Sequence, residues 1–382
     1  MKRSRDGGID RREFLRMAGI AGIAMVGAAC APAAAPTATP TKAPPASSPA
    51  AGAPTTAPAA VATPNEAEQA AKLYEAAKKE GEVMVYNQAS IQEWEEIGAA
   101  FQKKYPGIKV DAFAGTSEAM RDKVLTEAKA RKVVGDVMVR ANMQDTYTFT
   151  QEGVFEPYLS PQDKYFDEKH YDPKGLWHGH ARYPHVIEYN VKSITKEQAP
   201  KSYADLLKPE FKGKLGLEAN AVPWFSGMLR IMGRDKGLEY MKKLAEQKPR
   251  LISGHTSLHK LVTSGEIPVA AYMYSFRAVA DKENGLVEWV NPTEGTSGDA
   301  VFVAVVKNTT HPNAARLVLD FVLSEEVAQI MVKQLYIPLR KGAELGKLAD
   351  IAKVQSLVVT DVTWGKEVAD NDKTFREIFG KP

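Results

Sequence analysis

The sequence has little cysteine, little net charge and no long apolar segment, and each absence narrows what the chain can be. Cys30 is the only cysteine in 382 residues, which excludes an intramolecular disulfide and a zinc site built on thiolates. The formal net charge of +3 argues against nucleic acid or an anionic membrane surface as the main partner. The apolar run from Met17 to Ala29 is shorter than the about 20 residues that a transmembrane helix needs.

Sequence signatures of common enzymes are also scarce. The S-x-x-K pattern occurs at Ser193–Lys196 and at Ser257–Lys260, but the K-T-G and S-D-N motifs that accompany it in penicillin-recognising enzymes are absent. There is no H-E-x-x-H motif, no Walker loop and no G-x-S-x-G nucleophile elbow. We therefore expect a protein that is not an enzyme and that carries no cofactor.

Residues 1–30 resemble an export signal. Asp10–Arg16 is similar to the twin-arginine motif, and the apolar run behind it ends at Cys30. The preceding residues resemble a lipobox, although Gly27 stands where such signals usually carry Leu or Val, so cleavage with Cys30 unmodified is the alternative. Residues 31–65 are mostly Ala, Pro and Thr and cannot bury a core, which predicts a disordered tether. We expect export by the twin-arginine route and a periplasmic or cell-surface protein tethered to the membrane through a lipid on Cys30.

From residue 66 onward, helix-like and strand-like segments alternate. Helices are predicted over about 67–80, 92–104 and 117–130, and strands over 83–86, 108–113 and 136–140. This alternation predicts an α/β fold with a doubly wound sheet, in which ligands bind at the carboxyl ends of strands. Candidate ligand-binding residues at these ends are Asn87, Gln88, Ser90, Ser117 and Arg140; helix capping is the alternative role of Asn87, Ser90 and Ser117.

The stretch Arg182–Asn190 is expected to carry the chain from one lobe to a second. Val186, Ile187 and Tyr189 favour an extended backbone, and Pro184 fits the start or an edge of a strand. A second α/β block follows, then a stretch at 295–298 that we expect to be flexible and an apolar strand at 300–306 that returns to the first lobe. The predicted units are lobe 1 (66–185 plus 299–335), lobe 2 (186–298) and C-terminal helices that contact one or both lobes (336–382).

A series of motifs carries a family resemblance. In order they are Glu80–Tyr86, Phe101–Val110, Gly135–Val137, Gly153–Tyr158, Val186–Asn190, Ala199–Leu207, Lys212–Gly216 and His311–Glu325. Together they resemble the extracellular solute-binding proteins of ABC importers, of the iron(III)-type class II periplasmic binding proteins. The resemblance implies two lobes, each a doubly wound sheet flanked by helices, joined by hinge crossover strands that close over a small solute. It also implies a monomer that hands this solute to the transmembrane subunits of an ABC permease.

The solute does not follow from the resemblance. Iron-binding members of the family hold ferric ion with two adjacent tyrosines, and register from Gly265 places Ser275 and Phe276 there. Neither side chain can be a phenolate ligand, which favours an organic ligand, an organic anion or a chelated metal. Tyr272 and Tyr274 share one face of a strand, so a shifted ferric site stays open as the alternative.

An anion enclosed away from water needs charge-assisted hydrogen bonds, and arginines are suited to provide them. The candidates are Arg140, Arg182 and Arg277, for which surface ion pairs are the alternative role. The remaining candidates for contact with the ligand are Tyr183, Asn220, Trp224, Tyr272 and Tyr274, although the aromatic residues could equally pack in the core.

His178 and His180, with His185 shortly after, form the last unexplained pattern. In a strand the first two share a face, a spacing that zinc and copper sites use. They leave open a metal site or a secreted hydrolase on the same scaffold. Histidines that converge with a carboxylate would favour the hydrolase, and a cleft of arginines and aromatics without a nucleophile–base pair would favour the receptor.

Overall fold

The computed structural model describes residues 64–88, 91–115, 117–354, 356–358 and 364–380, so the export signal, Cys30 and the tether before residue 64 lie outside the described residues. The helices are α1 (Pro64–Glu80), α2 (Ile91–Lys104), α3 (Ser117–Ala130), α4 (Met143–Gln151), α5 (Val222–Met232), α6 (Arg234–Glu246), α7 (His255–Thr263), α8 (Ser275–Lys282), α9 (Pro312–Val322), α10 (Glu325–Lys333), α11 (Ala349–Ala352) and α12 (Trp364–Phe379). The strands are β1 (Glu82–Asn87), β2 (Lys109–Ala114), β3 (Val137–Ala141), β4 (His178–Asn190), β5 (Leu215–Glu218), β6 (Arg250–Ile252), β7 (Val269–Tyr274), β8 (Val287–Val290), β9 (Thr296–Val305), β10 (Ile337–Pro338) and β11 (Ser356–Val358).

The strands form a mixed sheet in the order β2-β1-β3-β9-β4-β7-β5-β6. The strands β2, β1 and β3 run parallel at one end, and β7, β5 and β6 run parallel at the other. Between them, β9 and β4 are antiparallel to both of their neighbours. Each parallel end with its helices makes one lobe, and the predicted α/β class is confirmed.

The long strand β4 changes partners within its length. Its first part pairs with β9, with Tyr183 opposite Asp299, and its second part pairs with β7, with His185 opposite Tyr274. The carboxyl half also pairs with β8. The strand therefore belongs to the sheet of both lobes and places the residues near Tyr183 at the junction.

The stretch at 295–298, which is predicted to be flexible, is instead mostly the buried start of β9, and that prediction is wrong. Thr296 and Ser297 have no exposed surface. The Thr296 hydroxyl lies 2.8 Å from the Tyr203 hydroxyl, and Ser297 bonds to His185. These tertiary hydrogen bonds fix a segment whose small polar residues alone would favour a turn.

The last helix, α12, packs against helices that come from different parts of the chain. Gly365 lies against α4, where an added Cβ would stand 2.6 Å from Cβ of Tyr147. On α5, Arg230 forms an ion pair with Glu367. No helix among the described residues is both long and apolar enough to span a bilayer.

Candidate functional site

Side chains from β9, β4 and β7 meet on one face of the sheet at the junction. Residues directly opposite on neighbouring strands share a face, which brings Asp299, Tyr183, His185 and Tyr274 together. Tyr272, two residues before Tyr274, points to the same side; its ring centroid is 5.0 Å from that of His185. We call Tyr183, His185, Tyr272, Tyr274 and Asp299 the central cluster.

A stack of parallel rings extends from the central cluster toward both lobes. The Arg140 guanidinium lies 4.7 Å from the ring centroid of Tyr336, which stacks on Phe276 at 4.9 Å and 20°. Phe276 in turn stacks on Tyr274 at 5.5 Å and 29°, and Tyr274 stacks on His255 at 3.8 Å and 19°. Because Arg140 is on β3 and His255 is on α7, the stack connects the two lobes.

Tyr183 stands edge-on to three rings of this stack. Its centroid lies 5.0 Å from Tyr274, 5.4 Å from Phe276 and 5.6 Å from Tyr336, with interplanar angles of 69°, 87° and 84°. Edge-to-face contacts of this kind are favourable for aromatic rings. A residue of the shared strand β4 therefore contacts two rings of lobe 2 and one ring of the C-terminal segment.

Arg140 is a buried arginine held in an unusual backbone conformation. It is only 2% exposed, and its φ of 57° lies in the left-handed region, at the point where the register of β3 against β9 shifts. Such a conformation costs energy in a non-glycine residue and is concentrated at functional sites. Its guanidinium donates to Glu93 at 3.1 Å and to Gln334, so a carboxylate already compensates its charge.

Arg277 differs from Arg140 because its charge has no partner within the described residues. It lies in the first turn of α8, half-buried, with its guanidinium 5.4 Å from the ring centroid of Phe276. Its Nε is buried without a hydrogen-bond acceptor, and no described carboxylate forms an ion pair with it. Because an uncompensated charge is costly to remove from water, Arg277 is the side chain best placed to receive an anion.

Tyr272 and Tyr274 of β7 are neutral phenols that contact other members of the site. Burial raises the pKa of Tyr272 and Tyr274 well above 10.0, and the Asp299 charge raises both further. The Tyr272 hydroxyl lies 2.7 Å from Nε2 of His255, and its ring stacks on Trp224 at 5.1 Å and 3°. Burial also lowers the pKa of His255 to about 3, so this imidazole is neutral at pH 7.

Several predicted site residues lie apart from the central cluster. Asn87 is buried at the end of β1, and Gln88 bonds to the Asn142 backbone and to the Asp145 carboxylate in front of α4. Arg182 donates to the carbonyl of Ala352 in α11. Because it neighbours Tyr183 on β4, its side chain leaves the opposite face of the strand.

Three further predicted residues are Asn220, Ser117 and Ser90. Asn220 is exposed just after β5, where its backbone N–H donates to Glu218. Ser117 begins α3, and Ser90 lies outside the described residues. The predicted residues that the structure does bring together are Arg140, Tyr183, Trp224, Tyr272, Tyr274 and Arg277.

The histidine pair His178 and His180 does not converge on a shared ligand position. His178 lies 3.1 Å from Asp163, and neither ring nitrogen of the buried His180 has a hydrogen-bond partner among the described residues. Burial, with a smaller effect of Arg140, lowers the pKa of His180 to about 3. No cluster of three or more His, Cys, Asp or Glu side chains that could hold a metal occurs in the described part of the chain.

His185 instead joins Ser297 and Asp299 in an arrangement that superficially matches a catalytic triad. Its Nδ1 lies 2.8 Å from the Ser297 hydroxyl and its Nε2 lies 3.2 Å from the Asp299 carboxylate. In serine hydrolases, by contrast, Nε2 of the histidine contacts the serine and Nδ1 contacts the aspartate. Ser297 is also fully buried beneath α5, where a Cβ on Gly227 would stand 2.4 Å from its own Cβ. A sealed hydroxyl cannot attack a substrate, so the arrangement orients Asp299.

A buried ionic network holds the helices that supply His255 and Arg277. His259, one turn after His255 on α7, lies 2.9 Å from Glu188 of β4 and 2.6 Å from Asp281, which is one turn after Arg277 on α8. Burial opposes protonation of His259, but its hydrogen bonds to both carboxylates outweigh burial and raise its pKa. The imidazolium thus fixes α7 and α8 to the shared strand.

Sequence reasoning missed four contributors to this site. Asp299, Tyr336 and His255 were not proposed, and Phe276 was considered only as a substitute for an iron ligand. The spacing of Ser297 and Asp299, two apart in front of an apolar strand, could have indicated a shared strand face. Nothing local to Tyr336 or His255 indicates where these rings lie.

Comparison with known proteins agrees with this architecture. A family model described as bacterial extracellular solute-binding protein matches residues 141–359. The periplasmic binding protein AfuA from Actinobacillus pleuropneumoniae, solved with fructose-6-phosphate, is similar with a TM-score of 0.68 and 22% identity over 78% of this chain and 98% of that one. Iron-bound HitA from Pseudomonas aeruginosa gives a TM-score of 0.66 and 21% identity over 77% and 99%.

Two further relatives extend the comparison. The FutA protein of Trichodesmium, solved with iron and citrate, has a TM-score of 0.67 and 19% identity over 79% of this chain and 100% of its own. An Fe(3+)-binding periplasmic protein of Serratia marcescens is 23% identical over 48% of this chain and 54% of its own length. The predicted two-lobed periplasmic-binding fold and the predicted family resemblance are confirmed.

Proposed function

The chain belongs to the family of bacterial extracellular solute-binding proteins, and we propose that it captures a small anionic solute between its lobes for delivery to an ABC permease. The proposed lobes are residues 66–185 plus 299–335 and residues 186–298, with the C-terminal segment 336–382 resting on them. The solute would contact the central cluster at the floor of the cleft between the lobes. No bond of the solute is made or broken, and its binding free energy stabilises the closed form.

The observation that carries this proposal is the uncompensated charge of Arg277. It is half-buried beside the ring stack, where a bound anion would supply the hydrogen-bond acceptors that its guanidinium lacks. Arg140, already paired with Glu93, would add positive potential from the facing lobe, where its guanidinium lies 4.7 Å from the ring centroid of Tyr336. The fructose-6-phosphate of AfuA and the citrate of the Trichodesmium protein are both anions, which is consistent with this chemistry.

Ferric iron is the second candidate solute, because Tyr272 and Tyr274 share a face and iron-binding proteins are among the relatives. Binding would require deprotonation of phenols whose pKa burial raises well above 10.0, and the release of Tyr272 from His255. Ferric binding by tyrosinate produces a visible charge-transfer band, so titration of the protein with ferric citrate distinguishes this candidate.

Thermal unfolding of the full chain in the presence of organic phosphates, carboxylates, sulfonates and ferric citrate tests the proposal. A ligand at about 100 times its Kd stabilises the folded state by about 2.7 kcal/mol, which raises Tm by several degrees. Arg277→Gln should abolish the shift given by an anion. Arg250→Gln, which removes an exposed arginine that pairs with Glu266, should retain it. Equal shifts in both variants would contradict the role of Arg277.

The export route and the anchor remain part of the proposal and rest on the sequence. Replacement of both Arg11 and Arg12 by lysine should leave the precursor in the cytoplasm if the twin-arginine route is used. Cys30→Ala should release the exported protein from membranes, detected as a loss from the detergent phase on phase partitioning. Unchanged membrane association of the Cys30 variant would contradict the lipid anchor. Sedimentation should show a monomer.

A further inference from the structure

Asp299 is an acidic group inside a site that is proposed to bind an anion. Its side chain is 17% exposed, and it stands directly opposite Tyr183 in the pairing of β9 with β4. No described lysine or arginine forms an ion pair with it, and its bonded partner among the described residues is Nε2 of His185 at 3.2 Å. In this contact Nε2–H can donate to Asp299 while Nδ1 accepts from the Ser297 hydroxyl at 2.8 Å.

Aromatic rings surround this carboxylate. Tyr183 stands directly opposite Asp299 in the strand pairing. The carboxylate contacts His185, whose ring centroid lies 5.0 Å from that of Tyr272 and 5.6 Å from that of Tyr274. An ammonium group beside Asp299 would meet a carboxylate among these rings, and aromatic faces attract cations. A second anion placed there would be repelled.

The positive charge of Arg277 lies beside the same group of rings. Asp299 stands opposite Tyr183, whose ring centroid is 5.4 Å from that of Phe276, and the Arg277 guanidinium is 5.4 Å from the Phe276 centroid. Asp299, which has no lysine or arginine partner among the described residues, and Arg277 therefore flank the Tyr183–Phe276 pair. A guest that carries only one charge would leave the other one uncompensated in a site shielded from water.

We propose that the solute is a zwitterion, with its anionic group at Arg277 and an ammonium group at Asp299 between the tyrosines. This inference rests on the proposed function and narrows it to amino-bearing acids. Asp299 is then a specificity-determining residue: it adds little to the binding of an anion and selects for the amine. The buried Ser297 and His185 position its carboxylate for that contact.

The test measures the affinity of the full chain for matched pairs of probes by calorimetry. The pairs are γ-aminobutyrate and butyrate, taurine and ethanesulfonate, and aminopropylphosphonate and propylphosphonate. The amino member should bind at least about tenfold more tightly, as expected for a charge-assisted hydrogen bond in a site shielded from water. Asp299→Asn should reduce this preference to about threefold or less and leave the affinity for the amino-free member equal or higher. Asp350→Asn, at a carboxylate that is 84% exposed, is the matched control and should change neither affinity.

Each other outcome has a defined meaning. Equal affinities of the wild-type chain for both members of the pairs, or an unchanged preference in Asp299→Asn, overturns the zwitterion and leaves the proposed anion receptor standing. Failure of every probe to bind overturns the zwitterion for solutes of this size. If Arg277→Gln also leaves all thermal shifts by anions unchanged, the proposed function fails independently of Asp299.

Discussion

The ionic network of Glu188, His259 and Asp281 allows a quantitative prediction about the second lobe. His259→Gln removes the imidazolium that lies 2.9 Å from Glu188 and 2.6 Å from Asp281. Glu188 has no exposed surface, so the substitution leaves a carboxylate that is shielded from water and has lost its hydrogen-bonded imidazole. Removal of one partner from a buried ion pair costs about 3–5 kcal/mol. We expect the lower end, about 3 kcal/mol, because the Asp281 side chain is 28% exposed and is hydrated in part.

The assay is urea and thermal unfolding of the full chain, followed by circular dichroism. For domains of about 150–250 residues, 1 kcal/mol shifts Tm by about 2–4 °C, so a loss of about 3 kcal/mol in His259→Gln should lower Tm by about 6–12 °C. Glu188→Gln in the same chain should recover part of the loss, because it removes the uncompensated charge, and the double-mutant cycle then measures the coupling. Lys260→Gln, exposed on the same helix, is the control and should have no effect.

The ionic network also predicts the direction in which the stability of the protein changes with pH. Because the hydrogen bonds of His259 raise its pKa above 6.5, its contribution to stability is complete below pH 6.5 and is lost as pH rises through the folded-state pKa. Burial likewise raises the pKa of Glu188, which gives the same sign at lower pH. Wild-type stability should therefore fall above pH 6.5, and the Glu188→Gln/His259→Gln variant should lack this fall. A loss below about 1 kcal/mol for His259→Gln alone would refute the reasoning.

Three other regions of the structure give further predictions. Gly227→Ala should destabilise the fold by about 1–3 kcal/mol in urea unfolding, since the new Cβ would stand 2.4 Å from Cβ of Ser297; a neutral result would mean that α5 moves freely there. Burial raises the pKa of Asp320 from 3.8 to about 6, so its contribution to stability should be lost as pH rises through this range and the pH profile of Asp320→Asn should be flatter. Phe276→Ala should weaken solute binding by about 0.5–1.5 kcal/mol in calorimetry, because it removes the ring stacked on Tyr336; unchanged affinity would place the solute elsewhere.

Much of the first lobe follows from local pattern. The segments predicted as strands at 83–86 and 108–113 and as a helix at 92–104 correspond to β1, β2 and α2 within about two residues. They are short apolar runs and amphipathic stretches separated by turn residues, which local propensity decides. The short strand β6 and the helices α4 and α7 were not predicted. Helix α7 begins at His255 with few apolar residues in its first turn, so its hydrophobic period is hard to see.

The candidate site likewise contains residues that the sequence could indicate and residues that it could not. Tyr272, Tyr274 and Arg277 could be proposed because they follow one another at the end of a strand, where ligands bind in α/β sheets. Asp299, Tyr336 and His255 could not, since each lies in a different segment and the three meet only through strand pairing and ring stacking. Arg140 and Arg277 could both be proposed from residue type. Only the structure shows that the charge of Arg140 is paired with Glu93, whereas Arg277 has no such partner among the described residues.

By itself, the sequence determined the alternation of strands and helices, the family resemblance and the kinds of side chain available for binding. These depend on residue type and short-range order, which neighbouring residues specify. Only the tertiary structure decided which charges are compensated, which rings stack and which face of β4 carries the central cluster. Compensation and stacking are properties of distance, and the distances between β3, β4, α8 and β9 are set by packing across the sheet.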